Sequence, residues 1–468
     1  MDTLPTELLE IIFGFLEVDL SKTVAVNQER MTALSSISRT SKWFNVMASK
    51  VLYASIDVSE CNNLFDLLKT TRSRPELAAR ITSLRVDGVK GRRPFRIDDE
   101  SLLAQELTQL TSIRSPKGRI QSFGNWELAI HFQDREALLA LLITKLPNIA
   151  HLHFKSIKMF EFLFNLIEIG VTSVQSQFSR FDRLGILCID GAWDCRKMTT
   201  LFVPPGVQTL RLKEIRNLCF EPSKELQASG YHLKHLVLDG CRVSARELKN
   251  FFFQNSQIEK IEARNMVFRR TETLQPPPAF FLDHSVSFHL RDLDLREKYN
   301  PNKEQTGLQV VFLARFKDCP RLSTISFSMT GNSGLRDPLD GQHVFPRSLE
   351  NLNIEVVTLG PPSNSEKCKV LLKALDNVAN ARDAGNLPSL RHITLILPKA
   401  ILHEDVRGNE VRMKCLPWTL PSVWMSRLQD SGIKVTHELI SLPPPRFPLP
   451  LPPSGFSFPG EKRYVMLR

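Results

Sequence analysis

The chain has 468 residues, 42% hydrophobic and 24% charged, a globular composition long enough for two or three ordinary domains or one extended repeat array. No apolar run reaches the roughly 18 residues a bilayer-spanning helix needs, and the opening Met1 to Pro5 lacks the basic and apolar regions of a signal peptide. These features set an expectation of a cytoplasmic or nuclear protein, neither membrane-spanning nor secreted.

The net charge is +11, from 61 basic and 50 acidic residues. Residues 1–56 hold 5 basic and 6 acidic residues, so the excess belongs to the rest of the chain. Basic clusters are few: Lys90 to Arg96, Arg114 to Arg119, and Arg269-Arg270. Such dispersion fits solvated loops better than a nucleic-acid site. The eight cysteines stand singly, with no Cys-x-x-Cys and no Cys/His quartet, and read as reduced, mostly buried thiols.

In chain order, the first signal is Leu4-Pro5-x-Glu7-Leu8-x-x-Ile11-Ile12-Phe13-x-x-Leu16. Pro5 suits the first turn of a helix, where its missing N–H costs nothing, and Glu7 and Glu10 favour the helix dipole. Leu8, Ile11, Ile12, Phe15 and Leu16 then form an apolar stripe wider than one short helix needs for its own packing. A second helix is expected over roughly Met31 to Ser49, bearing Leu34, Ile37, Trp43, Phe44 and Met47, with Val51-Leu52-Tyr53 as a third apolar patch. Three short helices over residues 1–56 make a marginal core, and part of the stripe needs a partner.

From Ile81 onward one template recurs: hydrophobic-x-x-hydrophobic-x-hydrophobic. Its ten copies have their fourth positions at 84, 152, 187, 210, 236, 261, 293, 325, 352 and 393. Several spacings fall within the leucine-rich-repeat period of roughly 20–29 residues. Helical periodicity lies between copies at Ser244 to Phe253, Leu308 to Phe316 and Lys367 to Ala381. In the long first gap, helices are expected at Glu100 to Leu110 and Arg135 to Leu146. Two architectures share this pattern: an irregular leucine-rich-repeat solenoid, in which each unit buries its apolar side against the next, and a compact α/β domain with parallel strands.

After Leu442 the segment Pro443 to Pro453 has seven prolines, which favours extended polyproline II, either a surface tail or a ligand for a proline-recognition module.

No catalytic motif occurs: no phosphate-binding glycine loop, no Gly-x-Ser-x-Gly, no His-Glu-x-x-His. His151-x-His153 shares one strand face but has no third ligand nearby, and His403-Glu404-Asp405 reads as a solvated turn. No cofactor or metal is expected. If the templates are strands, the alternate residues point outward. The early strands then offer a basic, histidine-bearing strip of His151, His153, Lys155, Arg211 and Lys213, suited to an acidic or phosphorylated ligand. The strands from Leu322 to Ile354 offer Ser, Thr and Asn instead.

The N-terminal pattern, completed by Ser41-Lys42-Trp43-Phe44, resembles the F-box, the motif by which substrate receptors of SCF-type (Skp–cullin–F-box) ubiquitin ligases bind the Skp adaptor. The resemblance covers residues 1–56 and departs from the family where Ser21 to Arg30 lengthen the step to the second helix. Leu236 to Cys241 is similar to the cysteine-bearing repeats of such proteins. With the repeat template and the proline-rich end, the resemblance gives an expected α/β chain of four parts: a three-helix F-box at 1–56, a helical linker with a first irregular repeat at 57–148, an irregular leucine-rich-repeat array of parallel strands and helices at 149–440 and a proline-rich tail at 441–468. It implies adaptor binding by Leu4, Pro5, Leu8, Ile11, Ile12, Leu16, Leu34, Ile37, Trp43 and Phe44. Through the adaptor the chain would join a cullin–RING ligase and hold a protein substrate, with no catalytic group of its own. The competing expectations are a basic nucleic-acid-associated scaffold and an F-box protein acting outside any ligase.

Overall fold

A computed structural model describes residues 12, 15–16, 24–90, 135–155, 183–191, 206–215, 232–243, 251–252, 255–268, 289–296, 319–330, 345–357, 366–398, 403–404, 410–411 and 422–440. The expected helices at Glu100 to Leu110 and Leu308 to Phe316, most of Ser244 to Phe253, the three basic clusters beyond Lys90 and the proline-rich tail lie outside them.

The expected single helix from Met31 to Ser49 is two. Helix α1 spans Val24–Ser38 and α2 spans Lys42–Ala54. The break has a local cause: Ser41 is extended and its Oγ accepts from Phe44 N–H at 3.1 Å, capping α2. The lengthened step of the motif is largely helical, since Val24 to Arg30 form the first two turns of α1.

Among the described residues twelve strands then form one all-parallel sheet, each paired with the sheet strand before it and the one after, except at the two edges. They are β1 Ser55–Glu60, β2 Ser83–Lys90, β3 His151–Lys155, β4 Ile186–Asp190, β5 Thr209–Lys213 and β6 His235–Asp239. The remainder are β7 Lys260–Arg264, β8 Asp292–Leu295, β9 Thr324–Thr330, β10 Asn351–Val357, β11 His392–Pro398 and β12 Lys434–Ile440. All ten templates are strands of this sheet. Their fourth positions stand side by side, from Leu84 opposite Leu152 through to Leu352 opposite Ile393. First positions (Ile81, Ile149, Leu184, Val207, Leu233, Ile258, Leu290, Leu322, Leu349, Leu390) and fourth positions are all buried. The residue before each strand continues the ladder, as in Gln208 N–H to Gly185 O, Lys234 N–H to Gln208 O and Glu259 N–H to Lys234 O.

The sheet has two strands more than the sequence pattern counted. β1 follows α2 directly, so the sheet opens at Ser55 and shows no break at the boundary expected at 149. His403–Glu404, expected as a solvated turn, pairs antiparallel with Glu410–Val411. Turns after β4 to β7 share a left-handed residue: Gly191, Glu214, Gly240 and Asn265.

Helices cover the apolar side. After β1 come α3 (Cys61–Ser73) and the short α4 (Pro75–Ala78); then α5 (Arg135–Thr144), α6 (Glu366–Asp383) and α7 (Ser422–Asp430). In α5 every residue from Ala137 to Ile143 is buried, so this helix fills space between α3 and the sheet. One core cluster runs from Val58 to Ile433. A second, small one holds, among the described residues, Leu34, Met47 and Ala48.

Candidate binding surfaces

The outward side chains of the sheet form three rows across the strands. In the third row the sign of charge alternates strand by strand: Asp87, Lys155, Asp190, Lys213, Asp239, Arg264. Lys155 Nζ is 2.8 Å from Asp87 Oδ2 and Lys213 Nζ is 3.2 Å from Asp190 Oδ2. Burial opposes the charge on Lys213, yet its bond to Asp190 outweighs this and pushes its pKa up. Asp239 accepts from the Asn265 amide, and Arg264 reaches both Asp294 at 2.6 Å and Glu262 at 3.0 Å. The expected basic strip is therefore a self-neutralising ladder in its third row.

The other three residues of that strip behave differently from one another. His151 is exposed. His153 is half-buried, and burial, with Arg85 beside it, pushes its pKa down, so it is neutral at pH 7. Arg211 is exposed in the middle row, with Cys188 on one neighbouring strand and Val237 on the other. Lys155 and Lys213 stand two strands apart in the same row, and β4 between them, whose outward residues the expected strip left out, supplies the counter-charge Asp190.

Further along, the face is a tight polar network. Glu262 Oε1 lies 3.1 Å from His235 Nε2 and 2.9 Å from Lys260 Nζ; these bonds outweigh burial and hold its carboxyl well below the usual range. Burial would raise Asp294, but two side-chain contacts from Arg296 and two from Arg264 hold it down. On β9 to β12 uncharged groups bond laterally: Asn353 Nδ2 to Ser326 Oγ at 2.9 Å, and Thr436 Oγ1 to Thr394 Oγ1 at 3.2 Å. At the opposite end, both carboxylate oxygens of Asp57 and the Ser83 hydroxyl are buried without a hydrogen-bond partner, and burial pushes Asp57 up. Among the described residues no group of three or more His, Cys, Asp or Glu is placed to hold a metal ion, and no helix is long and apolar enough to cross a membrane.

The N-terminal helices present the other surface. Leu34 is fully buried and Leu16, Ile37 and Phe44 pack around it, so these four serve the module's own core. Ile12 is 48% exposed, Phe15 76%, Trp43 45% and Val46 55%; among the described residues only Val423 on α7 joins them as an exposed large hydrophobe. The four fall in two pairs three residues apart, a spacing that shares one helix face, and Trp43 stands edge-on to Phe44 at 5.1 Å. Leu4, Pro5, Leu8 and Ile11 lie outside the described residues. Phe15 and Val46 were not among the expected contact residues, although Phe15 belongs to the apolar stripe and Val46 lies one helical turn from Trp43.

No protein-family model matches the chain, and no curated protein matches it.

Proposed function

We propose that the chain is a non-catalytic substrate receptor of an SCF-type ubiquitin ligase, working in the cytoplasm or nucleus. Its N-terminal helices act as an F-box that docks on a Skp-type adaptor. The parallel-strand body acts as an irregular leucine-rich-repeat array that holds a protein substrate near the ubiquitin-loaded enzyme at high effective concentration. The observation that carries this reading is that Ile12, Phe15, Trp43 and Val46 are exposed on a unit in which, among the described residues, a small core of Leu34, Met47 and Ala48 is lined by Leu16, Ile37, Phe44, Val51 and Leu52. Large exposed apolar groups on so small a unit mark a protein contact.

The test uses Phe15→Asp with Val46→Asp. Both sites are exposed, so the free chain keeps its fold, whereas docking would bury two charges against an apolar partner at a cost of several kcal/mol. Co-purification with the Skp-type adaptor is expected to disappear while the thermal melt is unchanged. Undiminished adaptor capture by the doubly substituted protein would sink the proposal.

A further inference from the structure

We infer that Arg211 anchors an acidic peptide segment, pairing with one Asp or Glu carboxylate while an adjacent aliphatic side chain of that segment rests on Ile186, Cys188 and Val237. The inference deepens the substrate-receptor reading and rests on it for the peptide nature of the ligand.

Arg211 differs from the other outward-facing cations of β3 to β8. Lys155, Lys213, Lys260, Arg264 and Arg296 each lie within ion-pair distance of a carboxylate. Arg211 has no ion pair or hydrogen bond among the described residues and its side chain is exposed. Its surroundings differ too. The register puts Cys188 and Val237 directly beside it, and Ile186 opposite Thr209 one step along the same face. All three are half-buried. The Cys188 thiol is pushed up to about 11 by burial, so it is uncharged at neutral pH and belongs with the apolar pair.

An exposed guanidinium flanked on both neighbouring strands by half-buried apolar side chains is the composition of an interface hot spot, where water is excluded around one strong polar contact. The planar fork of Arg matches a carboxylate in two parallel bonds. Strand spacing of about 4.8 Å places the apolar neighbours within reach of the next side chain of an extended ligand. The charge balance selects a monoanion. Asp190 and Asp239 flank Lys213 in the neighbouring row, so the surroundings add no further net positive charge to attract a phosphate dianion.

The test measures retention of degenerate 12-residue peptide libraries on the immobilised full chain. The libraries fix a central Glu-Leu, Gln-Leu, Glu-Ser or phosphoserine-Leu pair. Glu-Leu is expected to be retained about tenfold over Gln-Leu, the equivalent of one charge-assisted contact, and above both Glu-Ser and phosphoserine-Leu. Arg211→Gln abolishes that preference, and so does Val237→Asp, which sets a carboxylate beside the guanidinium. Lys213→Gln leaves the preference intact, because Asp190 already occupies that lysine. Three results would overturn the inference: no Glu-Leu preference, a preference that survives Arg211→Gln, or an equal loss in Lys213→Gln. Stronger retention of phosphoserine-Leu, or of a single-stranded oligonucleotide, would overturn it in favour of a phosphate surface. Adaptor co-purification on the same samples separates the two proposals, since its loss with peptide preference intact sinks only the receptor reading.

Discussion

At the scale of single residues, two positions make sharp demands. Gly240 has φ +67°, and a Cβ built there would stand 3.4 Å from the Glu214 side chain. The left-handed backbone is what disfavours a side chain here, the contact itself being an ordinary one, so Gly240→Ala is expected to lower stability by about 1 kcal/mol, read as a drop in the urea midpoint. Glu262 sets an acid limit. Its folded pKa lies below its ordinary value of 4.5, so the stability it contributes is present above about pH 4.5 and is lost as pH falls toward the depressed folded value. Asp57 and Glu355, raised chiefly by burial, act in the opposite sense and are relieved by acid. Glu262→Gln should therefore cost about 2 kcal/mol at pH 7, with a deficit that shrinks on acidification below about pH 4.5. A deficit independent of pH would show that the carboxylate's charge is not what matters.

At the scale of elements, helix α5 shows what burial is worth. Leu138, Leu141 and Leu142 are at most 1% exposed, and Leu141→Ala should cost about 2 to 5 kcal/mol through the cavity it leaves, measurable by urea unfolding. The strands were legible because their signal is local. A residue's burial follows from its place in a six-residue pattern, whatever lies across the sheet, and ten copies of the pattern are ten strands. The two strands missed have local reasons as well. β1 fits the template as Tyr53-x-x-Ile56-x-Val58, but Tyr53 also lies in the last turn of α2, so the helical pattern claimed it. β12 has Gly432 and His437 at two of the three apolar positions. The ion pairs were illegible for a different reason. Lys213 and Asp190 are 23 residues apart and Lys155 and Asp87 are 68 apart, so only the register of neighbouring strands brings them together. In the N-terminal module, apolar spacing marked which helices associate but did not separate the side chains that close the small core from those left facing out.

At the scale of the whole molecule, the single core running from Val58 to Ile433 means that no interior boundary offers a clean cut. Severing the chain between Val243 and Phe251 would strip β6 and β7 of one neighbour each and expose the apolar positions of both. Two aggregating halves are expected, in contrast to the single cooperative melt of the intact chain; two soluble fragments that each melt cooperatively would show separable domains. The far edge is defended against stray pairing: Lys434, Thr436 and Glu438 on β12 are exposed, and charges on an edge strand discourage another chain from adding to it. Strand order also carries a consequence in time. Because each strand lies beside the one that precedes it in the chain, a chain leaving the ribosome always has the docking edge for its newest strand already made. The body can thus be laid down one strand after another during synthesis, with the most recently added edge alone left waiting.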